Sequence, residues 1–232
     1  MTILELMDEI NQEAIRLGLT LPNFQEPSDD DSYELLRKLK QLLRDVLRET
    51  VNEEKIIQAI LRKFNDSGRR SPPWQQGNED GHRRPQDGAD GNRQNRWLFD
   101  DKHPYYATKS MGCLVEIKFI LQTFSMDNIP NLPSNILQNS FNGIIDHDLT
   151  PGVFSDPLTG HVIDFNKFVA DRKYLESGHI NPHGRGGRHT YKNATLMLRD
   201  SNRQQADLTI NECLENMAII LRNHKYSVKN PQ

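Results

Sequence analysis

From Ser67 to Arg96 the chain reads SGRRSPPWQQGNEDGHRRPQDGADGNRQNR, in which Trp74 is the single large apolar side chain. So little apolar surface cannot offset the conformational entropy lost on ordering the backbone. The sequence therefore predicts two folded parts, residues 1–65 and 99–232, on either side of a flexible, disordered linker at 66–98. The paired arginines Arg69-Arg70 and Arg83-Arg84 could meet a nucleic-acid backbone, but acids lie among them and a solvated linker is the better reading.

The first part reads as helical. Ile3, Leu6, Met7, Ile10, Ala14 and Leu17 recur at helical spacing before Gly18, a natural stop. Asp31 with Glu34 three positions on resembles a capping box opening a second helix, whose apolar positions are Leu35, Leu36, Leu39, Leu42, Leu43, Val46 and Leu47. The pattern resumes at Ile56, Ile57, Ile60, Leu61 and Phe64. A unit this small makes a marginal core. Its stripe is either an ordinary buried face or a surface for a homodimer, a protein partner or DNA.

Beyond the linker, MGCLVEIKFILQTF (Met111 to Phe124) is apolar enough for a buried helix or strand, and helix is favoured. Ser134 to Ile145 suggests a short helix. VFSDPLTGHVIDF (Val153 to Phe165) places turn residues between short β-prone runs and predicts a hairpin. Near the end, Thr209 and Glu212 form a capping box for a last helix with Cys213, Leu214, Met217, Ile220 and Leu221 on one face, expected to buttress what precedes it.

Bulk properties narrow the function classes. Lys and Arg total 29 against 32 acidic residues, for a formal charge of -3, so any grip on phosphates must be local. Two cysteines cannot build a disulfide framework and no C-x-x-C pair offers structural zinc, which suggests a reducing cytoplasm. Glu5, Asp8, Glu9 and Glu13 contradict a secretory signal, and no apolar run approaches the roughly 20 residues that span a bilayer. A cytoplasmic protein without membrane contact is expected.

The chemistry lies in GHINPHGRGGRHTYKNATLMLRDSNRQQADLT. In order it carries His179, Pro182, Gly186-Gly187, His189, Asn193 and Asn202. This ordered set resembles the HNH (ββα-metal) endonucleases, over about residues 153–224. The resemblance implies an α+β chain: a C-terminal ββα-metal nuclease domain with flanking helices, preceded by the all-α region and the linker. It implies hydrolysis of double-stranded DNA to 5′-phosphate and 3′-hydroxyl ends, in restriction or phage defence.

On the same resemblance His179 is the general base, Asn193 ties down the loop that orients it, and Asn202 holds the metal. Most HNH nucleases carry Asp or His before the base, where this chain has Gly178. Glu176-Ser177-Gly178-His179 is similar instead to the Asp-Arg-Gly-His nucleases, in which a single Asn holds the ion. Mg²⁺ suits such a site because it prefers oxygen ligands and keeps several waters, and Mn²⁺ can substitute. A neutral imidazole can accept a proton near pH 7. Guanidinium groups match phosphate geometry, so Arg203 is a candidate for stabilising charge in the reaction, and Arg185, Arg188 and Arg199 for binding nucleic acid. His189 either binds phosphate or serves as a structural hydrogen-bond donor. Glu176 and Asp207 read as surface or capping residues that could reach metal-bound water. The competing reading is a catalytically inactive nucleic-acid-binding or assembly protein on the same scaffold.

Overall fold

Thr2 opens helix α1 (Ile3–Arg16): its hydroxyl accepts from the Glu5 amide at 3.2 Å, and the Glu5 carboxylate accepts from the Thr2 amide at 2.7 Å. Such a cap contributes about 1 kcal/mol. The computed structural model describes residues 2–22, 24–72, 93–130, 132, 136–137 and 139–227. Helix α2 (Asp29–Thr50) starts three residues before the point suggested by Asp31 and Glu34. Ser28 is its cap, and Asp29, Asp30 and Asp31 fill a first turn whose exposed amides favour negative charge. Helix α3 runs from Glu54 to Gly68 and α4 from Lys109 to Phe124.

Helix α4 lies at the centre. Every residue from Gly112 to Phe124 is buried, and the helix packs on α2, α3 and, on its other side, a strand of the C-terminal part. One apolar cluster therefore runs from Leu6 through Leu36, Ile60 and Phe119 to Leu196. The segments 1–65 and 99–232 share this interior. The stripe on residues 1–65 is covered by α4 rather than left for a partner, because α4 supplies the burial a small helical unit lacks. Inside the core the fully buried Glu116 pairs with Lys40 and, at 2.7 Å, with Arg69.

The predicted linker has a different form at its ends. Arg70 and Asn95 pair as an antiparallel bridge, with Ser71 N donating to Gln94 O at 2.9 Å and Arg96 N to Arg69 O at 3.0 Å. The described residues on either side of 73–92 thus meet at the same place, and Arg96 is buried with 3% exposure. Residues 73–92, with Trp74 and Arg83-Arg84, lie outside the described residues, as does part of the 134–145 stretch. Among the described residues of 136–145, Ile136 is in a 3-10 helical conformation and the others form turns, bends and loop.

The segment 153–165 turns back on itself as a short hairpin with a single antiparallel bridge, Ser155 with Val162, flanked by hydrogen bonds from Asp156 N to His161 O at 2.8 Å and from Ile163 N to Phe154 O at 3.0 Å. The buried Asp156 carboxylate holds its turn inward, accepting from Thr159 N and Oγ1, Leu198 N and Ser201 Oγ at 2.7 to 2.9 Å. After helix α5 (Phe165–Ala170) come strand β1 (Leu175–His179), strand β2 (Ala194–Leu198), helix α6 (Arg199–Gln205) and helix α7 (Ile210–Asn223). β1 and β2 are antiparallel, with Gly178 opposite Thr195 and His179 opposite Ala194. Gln122 of α4 fixes this hairpin from the core, donating to Thr195 Oγ1 at 2.8 Å and accepting from Leu196 N at 3.0 Å. Helix α7 buttresses only through its first turns: Cys213 is buried with Leu158 and Met197, whereas Leu214, Ile219, Ile220 and Leu221 are 42 to 57% exposed. Among the described residues no helix is long and apolar enough to cross a membrane.

Candidate active site

Antiparallel strands followed at once by α6 make a ββα unit, and two glycines fit it together. Gly187 lies against the loop after β1, where a Cβ would sit 1.8 Å from Asn181 O. That close approach lets Asn193 staple the loop: its Nδ2 donates to Asn181 O and Arg188 O, both at 2.8 Å, and its Oδ1 accepts from Asn181 N at 2.8 Å. Gly178 is also closely packed. A Cβ there would meet Met197 Sδ at 2.3 Å and Asn202 Oδ1 at 2.9 Å. The space an aspartate would need is filled by the Met197 sulfur.

His179 ends β1 in a cleft of about 840 Å³. Its Nε2 lies 3.0 Å from His189 Nδ1, and His189 Nε2 lies 2.7 Å from Gly68 O. The tautomers follow from the end of this relay. A carbonyl only accepts, so His189 Nε2 carries a proton. Burial holds the His189 pKa well below the ordinary imidazole range, with the charge of Arg96 adding to the effect, so the ring is neutral and its Nδ1 is an acceptor. His179 must then donate through Nε2. Burial, helped by the His183 and Arg96 charges, pushes the His179 pKa down to about 3, so this ring is neutral as well and its Nδ1 holds a free lone pair. The Gln205 amide donates to His179 O at 2.8 Å and Ile180 O at 3.2 Å, tying the strand end to α6.

In the glycine-rich loop Gly187 O accepts from His183 Nδ1 at 2.8 Å, and the ring partner of His179 is His189. His189 is 1% exposed with both ring nitrogens committed, so it has no polar atom left for nucleic acid.

Asn202, on α6, also lines the cleft. Its Nδ2 donates to Glu176 Oε2 at 2.9 Å. A carboxylate only accepts, which fixes the amide orientation and turns Oδ1 towards Gly178. Glu176, read from sequence as a surface residue, thus joins Asn202 in an oxygen-rich corner beside His179. No group of three His, Cys, Asp or Glu side chains converges on one point among the described residues.

The arginines expected at the site stand elsewhere. Arg185 bonds Asp207 O at 3.1 Å and pairs with Glu212 at 3.4 Å, Arg188 bonds Asp101 O at 3.3 Å, and Arg199 lies 3.7 Å from Asp200. None lines the cleft. Arg203 stays at its edge, 3.8 Å from Glu176 and largely exposed. The cations that do line it are Arg62 and Lys63 of α3, with Arg93, Arg96 and Arg172. Lys63 donates to Arg172 O and Leu175 O, and burial pushes its pKa down to about 8. Its place on α3, immediately before Phe64, was the available clue. Nothing in the sequence marks Arg96, whose burial depends on the pairing of residues 70 and 95.

No protein-family model matches the chain, and no curated protein matches it in sequence. Among solved structures, one described as the crystal structure of a type II restriction endonuclease is similar to it with a TM-score of 0.44 and 16% identity. The similarity covers 53% of this chain and 55% of that one, so this chain spans about half the length of that structure.

Proposed function

We propose that the chain is a metal-dependent endonuclease of the HNH kind, hydrolysing DNA to 5′-phosphate and 3′-hydroxyl ends with His179 as general base. The observation that carries this reading is the relay from Gly68 O through His189 to His179, which leaves Nδ1 of a cleft-lining imidazole unprotonated. Phosphodiester hydrolysis needs a proton taken from the attacking water, and a positioned base contributes about 10²- to 10⁴-fold. Nδ1 of His179 accepts that proton, and the positive charge this creates is shared with His189 through Nε2. Its basicity is low in the free protein and rises when a phosphate anion enters the cleft, because a nearby negative charge favours the protonated ring. Gln205 and Asn193 hold the strand end and the loop, so the base keeps its position.

The donor set fits a hard cation. Asn202 Oδ1 is a neutral oxygen turned away from its only partner, and the Glu176 carboxylate lies beside it. These two side chains would hold Mg²⁺, or Mn²⁺ in its place, with water completing the coordination. When bound, the ion supplies neutralisation of the phosphoryl and leaving oxygens. Met197 in the space beside Gly178 accounts for the missing Asp-His pair.

The test is cleavage of plasmid DNA by the purified protein in Mg²⁺, with His179→Ala and Asn202→Ala beside it. Cleavage lost in both variants, with thermal stability kept, is the expected result. A folded His179→Ala protein that still cuts would sink the reading. DNA bound without cleavage in Mg²⁺, Mn²⁺ and Ni²⁺ would leave a binding protein on the same scaffold.

A further inference from the structure

Arg96 is the one arginine among the described residues that is buried. Several arginines have carboxylate partners: Arg69 with Glu116, Arg16 with Asp31, Arg37 with Glu34 and Arg62 with Asp66. Among the described residues buried Arg96 has no such partner. Its guanidinium makes one hydrogen bond there, from Nη1 to Tyr105 O at 3.3 Å, and its buried Nε makes none. Burial, opposed by Tyr105, pushes its pKa down to about 9 and leaves it cationic at neutral pH.

A buried, unpaired charge destabilises a fold by several kcal/mol in general, so its retention needs a reason. The position of Arg96 gives one. It lines the same cleft as His179 and Asn202, and its charge reaches both His179 and His189. Two unmet needs face each other there: a cation already stripped of water, and a reaction whose substrate is an anion. Guanidinium binds phosphate through paired hydrogen bonds, which an ammonium cannot reproduce.

We propose that Arg96 is a phosphate-binding residue of the cleft, taking the non-bridging oxygens of a DNA phosphodiester held beside His179. The inference rests on the nuclease reading for its substrate, but not on cleavage. Arg62 and Arg172 at the cleft mouth extend the positive surface along which the neighbouring backbone runs.

The test measures binding of a short fluorescein-labelled DNA duplex by anisotropy in EDTA, where no cutting occurs, across a range of salt. Arg96→Met keeps the apolar stem, and Arg96→Lys keeps the charge without the fork. Both variants are expected to bind about 10- to 100-fold more weakly, in line with loss of a charge-assisted hydrogen-bonding group. For Arg96→Met the salt dependence should flatten by about one phosphate contact. The free Arg96→Met protein should melt at the wild-type temperature or above it, because a desolvated charge is gone. A purely structural arginine gives the opposite pattern: a lower melting temperature in Arg96→Met with wild-type affinity in Arg96→Lys, and that result overturns the proposal. Wild-type affinity in both variants overturns it too, while leaving the nuclease reading in place. A wild-type protein that binds no duplex overturns both.

Discussion

The two walls of the cleft are built in opposite ways. On one side stand Glu176 and His179 of β1 and Asn202 of α6, all within one short stretch of chain. On the other stand Lys63 of α3 and Arg96, far from that stretch in sequence and brought to it by the shared core. The first wall is an arrangement of short reach, in which an imidazole and an amide oxygen hold fixed relative positions. The second is an arrangement of burial, in which cations are largely removed from water. In the proposed reaction, proton transfer would depend on local geometry, and grip on the anion on the whole fold.

Variants can break this division. The largest expected effect is that of His179→Ala, which should lower single-turnover cleavage by about 10²- to 10⁴-fold while DNA affinity stays near wild type, the reverse of the pattern for Arg96. If both quantities fell together in His179→Ala, the walls would not be separable. Next, His189→Leu removes the acceptor for His179 Nε2 and releases the tautomer. By analogy with residues that orient a reacting ligand, cleavage should fall about 10- to 100-fold with unchanged duplex affinity.

A third change concerns the crowding behind the base. Gly178→Asp should destabilise the fold by about 1–3 kcal/mol in urea unfolding, as overpacking does, since its Cβ would lie 2.3 Å from Met197 Sδ. Met197→Ala in the same chain should recover part of that loss. The fourth is a pH effect. His179 and His189 have folded-state pKa values below their unfolded values, so the unfolded chain binds more protons. Stability is therefore full above about pH 6.5 and falls as pH drops through that value towards the folded ones. The slope is up to about 1.4 kcal/mol per pH unit for each ring. Melting between about pH 6.5 and 5.5 should be less pH-dependent in His189→Leu than in the wild type. The smallest effects belong to Arg188→Ala and Arg199→Ala, outside the cleft, with stability changes within about 0.5 kcal/mol and little change in DNA affinity.

What could be read in the sequence follows the same line. The helices at 3–16 and 54–68 announced themselves through periodicity, and the one at 210–223 through its capping box as well. The ordered series His179, Asn193 and Asn202 placed the β1–β2–α6 wall, because its parts lie within one short stretch of chain. Asn193 in its loop is the clearest case: an amide needing two carbonyls finds them at Asn181 and Arg188, a few residues away. The partner of His189 escaped because a backbone carbonyl 121 residues away has no signature in sequence. Arg96 and Asp156 escaped for a related reason. Each sits in a segment whose composition signals solvent, yet each is buried by contacts that depend on the assembled core.

The hydrogen bond from His189 to Gly68 O has a consequence for engineering. Short catalytic motifs are often treated as portable, to be cut out with their strands and helix and fused to a new targeting domain. Here the proton placement on His179 follows from the last residue of α3, so a fragment beginning at the ββα unit would carry the His179 imidazole without the peptide group that decides which of its nitrogens is bare. A transplant of this motif must bring the end of α3, and the Glu116–Arg69 pair that anchors it, along with it.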